Sequence, residues 1–269
     1  MTAIAPDTVA RLVAQLAGTR KYRHVAAETL ARVARDALVR GGRDPSRAAR
    51  ARLHQICGAF ATERALTRAA RALEGDELVL DLDQERALAA QVLDAHASTA
   101  ERARVLPEFA ERLIELAGRP RRVLDLACGL LPMALPWLDP DRALAYYGCD
   151  IDTRLVDLGN RFLVRTGRTG RIECADVLGA PRTVSADCAL LLKTAPTLEH
   201  QEPGATRRVI ERTDVPRIVV SFPTASLGGN RKGRSAHYAQ WMEALAALAG
   251  WKATGRELCG ELVYVIDRR

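Results

Sequence analysis

The chain has 269 residues, of which 48% are hydrophobic and 27% are charged. This composition excludes a wholly disordered protein, and the length favours one larger domain with a smaller module beside it. The formal net charge is +7, and residues 1–75 hold 14 Arg and Lys against six Asp and Glu, so the rest of the chain is close to neutral.

Membrane and metal-binding patterns are missing from the sequence. It contains no run of about 18 apolar residues, and its first residues lack the charged-then-apolar order of a signal peptide. We therefore expect a cytoplasmic protein that does not contact membranes. The six cysteines are scattered, without a C-x-x-C pair or a Cys/His cluster, so we predict neither a disulfide framework nor a metal site.

The N-terminal part of the chain has a helical pattern up to about residue 118, with breaks at Gly41-Gly42 and Asp44-Pro45. We predict an all-α domain at residues 1–97. Its positive charge favours a polyanion partner, because a protein that neutralises phosphates releases their counterions. Arg47, Arg50 and His54 share a stripe beside an apolar helix face, where they are placed to meet phosphate. A surface charged only for solubility is the alternative.

A second domain is predicted at residues 98–269. Ser98 followed by Glu101 is a capping-box pattern, which predicts a helix over residues 99–117 that ends near Gly118. Beyond it strands and helices alternate, which predicts an α/β domain with a mostly parallel sheet of six or seven strands and helices on both faces. The predicted strands are 122–126, 143–149, 171–174, 186–192, 217–222 and 262–267, and the predicted helices are 132–138, 153–166 and 236–249.

A ligand crevice is predicted where the first strands end. The small residues of VLDLACG, which ends at Gly129, precede a helix, an arrangement that binds nucleotides in α/β sheets. Asp150 ends the second strand, 21 residues after Gly129, and a carboxylate there can accept both hydroxyls of a ribose. Asp176 ends the third strand, where it can accept from an adenine amino group.

The choice of cofactor depends on phosphate. The segment DLACGLLP lacks the second and third glycines of G-x-G-x-x-G, so a pyrophosphate could not approach the backbone closely and we predict S-adenosylmethionine. The alternative is that the two aspartates only cap the helices that follow them. The predicted cofactor contacts in this crevice are Asp125, Ala127, Gly129, Asp150, Ile151, Asp176 and Val177.

Several segments together resemble the aminoglycoside-resistance 16S ribosomal RNA methyltransferases that act on the 7-nitrogen of guanine 1405. The similarity is greatest to the members that aminoglycoside-producing actinomycetes carry for self-protection, and it spans nearly the whole chain. The segments are His96–Thr99 with Glu101-Arg102, VLDLACGLLP, GCDID at 148–152, Leu192–Thr194 leading to Leu198-Glu199, and Ser221–Thr224 leading to Ser226–Gly229. The last of these is the most specific.

The resemblance implies a Rossmann-like, S-adenosylmethionine-dependent methyltransferase domain with a seven-stranded sheet. It assigns Arg102 to the methionine carboxylate of the cofactor, Asp150 to its ribose and Asp176 to its adenine. An Arg offers two parallel donors that match a carboxylate. One departure is Leu131, which stands where relatives often have Asn.

The chemistry of guanine N7 sets what the catalytic residues must do. This nitrogen has a free lone pair and no proton to lose, so methyl transfer needs no general base and depends on positioning. The resemblance points to Lys193 and Glu199 as the important residues after the fourth strand. Lys193 can donate to the guanine carbonyl oxygen beside N7, and a phosphate contact is its alternative role.

The resemblance also implies that the enzyme acts on 16S rRNA in the assembled small ribosomal subunit, and we expect a monomer without a metal. Recognition of paired RNA rests mainly on shape and phosphate contacts. The candidate RNA contacts are Arg20, Lys21, Arg23, Arg47, Arg50, His54, Arg64, Arg68, Arg231, Lys232 and Arg234. The competing hypotheses are methylation of another base such as adenine 1408, methylation of a small molecule, and a small-subunit binding factor without catalytic activity.

Overall fold

The computed structural model describes residues 5–58, 61–75, 80–180, 184–224 and 234–268. Helices fill the N-terminal third of this part, and strands alternate with helices after it. The helices are α1 (Pro6–Ala17), α2 (Ala27–Val39), α3 (Pro45–Leu53), α4 (Glu63–Ala72), α5 (Leu82–Leu93), α6 (Ala97–Ala100), α7 (Leu106–Leu116), α8 (Leu135–Leu138), α9 (Thr153–Arg165), α10 (Ala195–Gln201), α11 (Ala205–Arg212) and α12 (Arg234–Ala249). None of the described helices is long and apolar enough to cross a membrane.

The strands form one seven-stranded sheet in the order β3-β2-β1-β4-β5-β7-β6. The strands are β1 (Arg122–Leu126), β2 (Ala145–Asp150), β3 (Gly170–Cys174), β4 (Cys188–Leu192), β5 (Arg217–Pro223), β6 (Lys252–Leu258) and β7 (Glu261–Asp267). The first five pair in parallel, and β7 runs antiparallel between β5 and β6. The predicted Rossmann-like α/β fold is confirmed.

Helices cover both faces of the sheet. Alternate residues of a strand point to opposite faces, and accordingly Val123 packs in a core with α4, α5, α7, α8 and α9, whereas its neighbour Leu124 packs in a core with α10, α11 and α12. All five residues of β4 are buried, as expected for a central parallel strand with helices on each side.

The helices α1, α2 and α3 have a separate core, which includes Leu16, Leu30 and Leu53. The helices α4 and α5 instead pack through Leu66, Val92 and their neighbours into the core of the sheet. The domain boundary near residue 97 stays a prediction. The N-terminal helices α4 and α5 contact the sheet domain directly, because their apolar residues share its core.

The helix predicted over residues 99–117 ends near Gly118 as expected, but its predicted start is wrong, because the chain forms α6, a 3-10 turn at Ala103–Val105 and only then α7. Pro107 lies in the first turn of α7, and proline inside a continuous helix would lack a backbone donor and clash with the preceding turn. The N-cap residue of α6 is His96 and not Ser98. The hydroxyl of Thr99 binds the carbonyl of Leu93 at 2.7 Å instead of supporting a capping box.

Candidate cofactor and substrate crevice

A crevice of about 510 Å³ opens along the carboxyl ends of the parallel strands. Gly129 follows β1, Asp150 ends β2, Asp176 follows β3 and Lys193 follows β4. The predicted cofactor contacts Arg102, Asp125, Ala127, Gly129, Asp150, Ile151, Asp176 and Val177 all line it, as do Lys193 and Leu131. Residues placed by four separate strands thus meet at one edge of the sheet, where α/β folds bind their ligands.

Two positions on the crevice wall have a left-handed backbone without being glycine. Ala127 has a φ of 61° and Lys193 a φ of 56°, a conformation that is strained for residues with a Cβ atom and that clusters at functional sites. Gly129 has a φ of 54°, and a Cβ atom there would lie 3.3 Å from Cε1 of His96. The backbone therefore passes close to the His96 ring in a left-handed conformation, and glycine accommodates both features.

Asp150 is held by the backbone on both of its oxygens. Its Oδ2 accepts from the N–H of Gly129 and its Oδ1 from the N–H of Asp152, both at 2.9 Å. Each carboxylate oxygen can accept about two hydrogen bonds, so the carboxylate keeps acceptor capacity for the hydroxyls of a ribose. The helix that follows is capped by Asp152, whose side chain accepts from Arg154 N–H, so Asp150 does not serve as that cap.

Burial raises the pKa of Asp150 to about 6, although the backbone N–H groups of Asp152 and Gly129 oppose the shift. Burial likewise raises the pKa of Asp125 to about 7, and the hydrogen bond from Tyr146 opposes it. The Tyr146 hydroxyl donates to Oδ2 of Asp125 at 2.5 Å. Two carboxyl groups on the crevice wall therefore titrate near neutral pH.

Asp176 is bound by the N-terminal helix α2. Its Oδ2 accepts from the Thr29 hydroxyl at 2.9 Å and from Nη2 of Arg32 at 2.6 Å. Its Oδ1 accepts from Leu178 N–H at 2.9 Å, within a turn rather than at a helix start. Neither Thr29 nor Arg32 could be identified from the sequence, because neither lies near a strand end.

Arg102 forms a buried two-point ion pair with Glu261, the first residue of β7. Its Nε and Nη2 donate to the two Glu261 oxygens at 2.6 and 2.8 Å, and the guanidinium carbon lies 4.6 Å from the centre of the Phe109 ring. Burial opposes ionisation of Glu261, but Arg102, Lys193 and the Ser221 hydroxyl outweigh it and lower its pKa. Glu261 is a site residue that the sequence analysis missed, and the available signal was a carboxylate directly before the apolar run of residues 262–266.

The Lys193 ammonium is turned into the crevice wall. It donates to the carbonyl of Ser98 at 3.0 Å and to Glu101 at 2.5 Å, and it lies 3.8 Å from Glu261. Burial lowers the pKa of Lys193, with a smaller effect from Arg102, while Glu261 and Glu101 oppose it. Burial also lowers the pKa of His96 to about 4, so the imidazole beside Gly129 is neutral.

Glu199 does not line the crevice. Its two oxygens accept from the N–H groups of Gly204 and Thr206, both at 2.8 Å, at the start of α11. The predicted role in positioning the target base therefore needs correction, since this carboxylate is engaged in capping a helix. Its partners follow it by five and seven residues, across a turn that the sequence pattern did not reveal.

The candidate RNA contacts of the N-terminal helices are all exposed. They are Arg20, Lys21, Arg23, Arg47, Arg50, His54, Arg64 and Arg68. A second groove brings Arg20, Arg64 and Arg68 together with Arg71 beside the start of α4. Arg231 and Lys232, the side chain of Arg234 and the Ser226–Gly229 segment lie outside the described residues. Among the residues that are described, no three His, Cys, Asp or Glu side chains converge on a metal position.

The strand order with an antiparallel β7, and the carboxylates that end β2 and follow β3, define a Rossmann-like methyltransferase of the S-adenosylmethionine-dependent class. The chain also matches the family model described as ribosomal RNA methyltransferase (FmrO) over residues 18–265. It belongs to this family of rRNA methyltransferases.

Relatives and solved structures agree with this assignment. A 16S rRNA (guanine(1405)-N(7))-methyltransferase of Micromonospora rosea is 36% identical over 99% of both chains. One of Serratia marcescens is 35% identical over 93% of this chain and 94% of its own. The structure of the 16S rRNA methyltransferase RmtF in complex with S-adenosyl-L-homocysteine has a TM-score of 0.83 and 34% identity, and covers 99% of this chain and 100% of its own.

Proposed function

We propose that this enzyme transfers a methyl group from S-adenosylmethionine to N7 of guanine 1405 in 16S rRNA of the assembled small subunit, and that it thereby confers aminoglycoside resistance. The observation that carries the proposal is the continuity of the crevice. One cavity extends from Asp150 and Asp176, which suit an adenosine, to Lys193 and Pro196, where a base can enter. The relatives named for this reaction match the chain along nearly its full length.

The residues present fit the cofactor. The Asp150 carboxylate keeps acceptor capacity for the ribose hydroxyls beside its backbone hydrogen bonds. Asp176 offers Oδ1 to the adenine amino group, and Arg102 offers Nη1, the guanidinium nitrogen that Glu261 does not engage, to the methionine carboxylate. When bound, the cofactor supplies an electrophilic methyl group on a sulfonium.

On the acceptor side the protein holds the base and abstracts no proton. An ammonium has three donors, and Lys193 uses one on Ser98 and one on Glu101. The third can reach the guanine carbonyl oxygen and fix the neighbouring N7 in line with the methyl group. Alignment of this kind lowers the barrier by roughly 7–11 kcal/mol in well-oriented systems. Glu101 and Glu261 offset the charge of Lys193, so the ammonium opposes the forming methylguanine cation less.

The exposed arginines of the N-terminal helices bind the rRNA. The groove that is lined by Arg20, Arg64 and Arg68 brings several cations together, which suits contacts with neighbouring phosphates. Extruding a base from folded RNA costs a few kcal/mol, and phosphate contacts distributed over this surface compensate for it. We also propose that the enzyme acts as a monomer. It needs no metal, because the free lone pair of guanine N7 requires no Lewis acid for its activation.

The deciding experiment uses purified small subunits, the enzyme and cofactor labelled in its methyl group. We expect label at guanine 1405, identified as 7-methylguanine by mass spectrometry, and no label with an Asp150→Ala control. Label at adenine 1408 would replace the proposal with the rival base specificity. Tight binding to the subunit without any labelling would instead support the hypothesis of a binding factor without catalytic activity.

A further inference from the structure

Backbone hydrogen bonds connect the residues just before helix α2 to the loop that follows β2 in the cofactor crevice. The N–H of Ala26 donates to the carbonyl of Ile151 at 2.7 Å, and the N–H of Thr153 donates to the carbonyl of His24 at 2.9 Å. Val25 and Asp152 thereby form an antiparallel bridge. A segment of the predicted RNA-binding domain is thus attached directly behind Asp150, at the end of β2.

The same helix surrounds Asp176 with three side chains. Thr29, which is fully buried, and Arg32 both donate to Oδ2, the latter through Nε at 3.0 Å and Nη2 at 2.6 Å. Glu28 accepts the backbone N–H of Asp176 at 2.5 Å. Arg32 also donates through Nη2 to the side-chain oxygen of Gln201 on α10 at 2.8 Å. One arginine therefore links the RNA-binding helices, the end of β3 and the helix that follows Lys193.

These bonds leave the two oxygens of Asp176 unequal. Oδ2 already accepts three hydrogen atoms from Thr29 and Arg32, which fills its capacity, whereas Oδ1 accepts one from Leu178. The side chain is only 4% exposed and that of Arg32 18%, so the pair is held where water competes little. An adenine amino group entering the crevice can therefore bind only to Oδ1, in one orientation.

We propose that Thr29 and Arg32 are positioning residues of the adenine subsite, which fix the Asp176 carboxylate so that Oδ1 faces the 6-amino group of the cofactor. The N-terminal helices then have two functions, because the domain that binds rRNA also contributes residues to the adenine subsite of the cofactor. This inference rests on the proposed function, in which Asp176 receives the adenine.

Calorimetric titration with two ligands tests the inference. The ligands are S-adenosylhomocysteine and S-inosylhomocysteine, in which a carbonyl replaces the 6-amino group. The wild type should bind the adenosine compound at least about tenfold more tightly, because the carbonyl would face a carboxylate. Thr29→Val, which keeps the shape and removes the hydroxyl, and Arg32→Met should each bind the adenosine compound about tenfold more weakly and lose most of this discrimination.

Two variants serve as controls. Thr29→Ser restores the hydroxyl and should restore the discrimination, which a general packing defect would not do. Arg35→Met removes an exposed arginine from the same helix and should match the wild type. With saturating cofactor, Thr29→Val should methylate subunits with a kcat within about twofold of the wild type while its KM for cofactor rises.

The outcomes separate the two hypotheses. If Thr29→Val and Arg32→Met both discriminate as the wild type does, while Asp176→Ala does not, the positioning role is refuted and the adenine role of Asp176 stands. If the wild type does not discriminate and Asp176→Ala binds normally, the adenine assignment fails and the inference fails with it. Should Arg32→Met not fold by circular dichroism, the isosteric Thr29→Val decides alone.

Discussion

Cofactor affinity should depend on pH through Asp150. Burial raises the pKa of this carboxyl to about 6 in the free protein, and the ribose hydroxyls donate to its ionised form. If only the carboxylate binds, the apparent Kd is nearly constant above pH 7 and rises about tenfold between pH 7 and pH 5, which corresponds to about 1.4 kcal/mol. The Kd rises as the pH falls because protonation of Asp150 places a hydrogen on an oxygen that would otherwise accept from a ribose hydroxyl.

The variant Asp150→Asn removes the titration and one acceptor at once. Its amide nitrogen must face the N–H of either Gly129 or Asp152, both of which donate to the wild-type carboxylate at 2.9 Å. Loss of a hydrogen bond to a charged group costs about 1.5–3 kcal/mol, so the Kd at pH 7 should rise by roughly one to two orders of magnitude, with no further change down to pH 5.

The assay is calorimetric titration of S-adenosylhomocysteine from pH 5 to pH 8. Asp125 also titrates in the crevice, near pH 7, so Asp125→Asn is the matched control and should keep the wild-type slope below pH 6. A wild-type Kd that stays constant from pH 7 to pH 5, or a slope that survives in Asp150→Asn and disappears in Asp125→Asn, would refute the reasoning.

Four further predictions concern other residues. Glu199→Gln weakens the cap of α11 and should lower the free energy of unfolding by about 1–2 kcal/mol while cofactor affinity is unchanged; a normal denaturation midpoint would contradict this. Lys193→Gln should lower kcat/KM for subunits by about ten- to a hundredfold through loss of a charge-assisted hydrogen bond, with normal calorimetric affinity for cofactor; normal methylation kinetics would count against a base contact. Arg47→Glu combined with Arg50→Glu should weaken subunit binding in a filter assay and make it less sensitive to salt, and unchanged affinity would exclude this surface from the interface. Asp125 has its pKa raised to about 7 in the folded protein, so it destabilises the fold as pH rises from about 4 to 7; Asp125→Asn should gain on the order of 4 kcal/mol relative to wild type over that range in urea denaturation, and parallel pH profiles would contradict it.

The parts of the site that the sequence predicts are those that depend on local position. Gly129, Asp150 and Asp176 each lie at or just after the end of a predicted strand, and parallel strands bring such ends to one edge of a sheet. Their convergence thus follows from strand assignment alone. The strand β6 escaped prediction for a related reason, because it lies at the exposed end of the sheet and most of its residues face solvent, so it has no apolar run.

The parts that the sequence does not predict depend on contacts between distant segments. Arg32 meets Asp176 across 144 residues, and Arg102 meets Glu261 across 159. Helix periodicity indicates which face of α2 packs, but it does not indicate what the face packs against. An arginine on that face has the same local pattern whether it contacts solvent, phosphate or a buried carboxylate.

The charges around Lys193 fit a reaction that moves a charge without creating one. Methyl transfer converts a sulfonium into a neutral thioether and a neutral guanine into a cation, so the site carries one positive charge before and after the step. An uncompensated Lys193 and Arg102 would repel that charge at every point. Glu101 lies 2.5 Å from the Lys193 ammonium, and Glu261 bridges Arg102 at 2.6 Å and approaches Lys193 to 3.8 Å, so two cations are matched by two carboxylates. Lys193 can then direct the guanine by a hydrogen bond, which depends on geometry, while its net field on the transferred methyl group stays small.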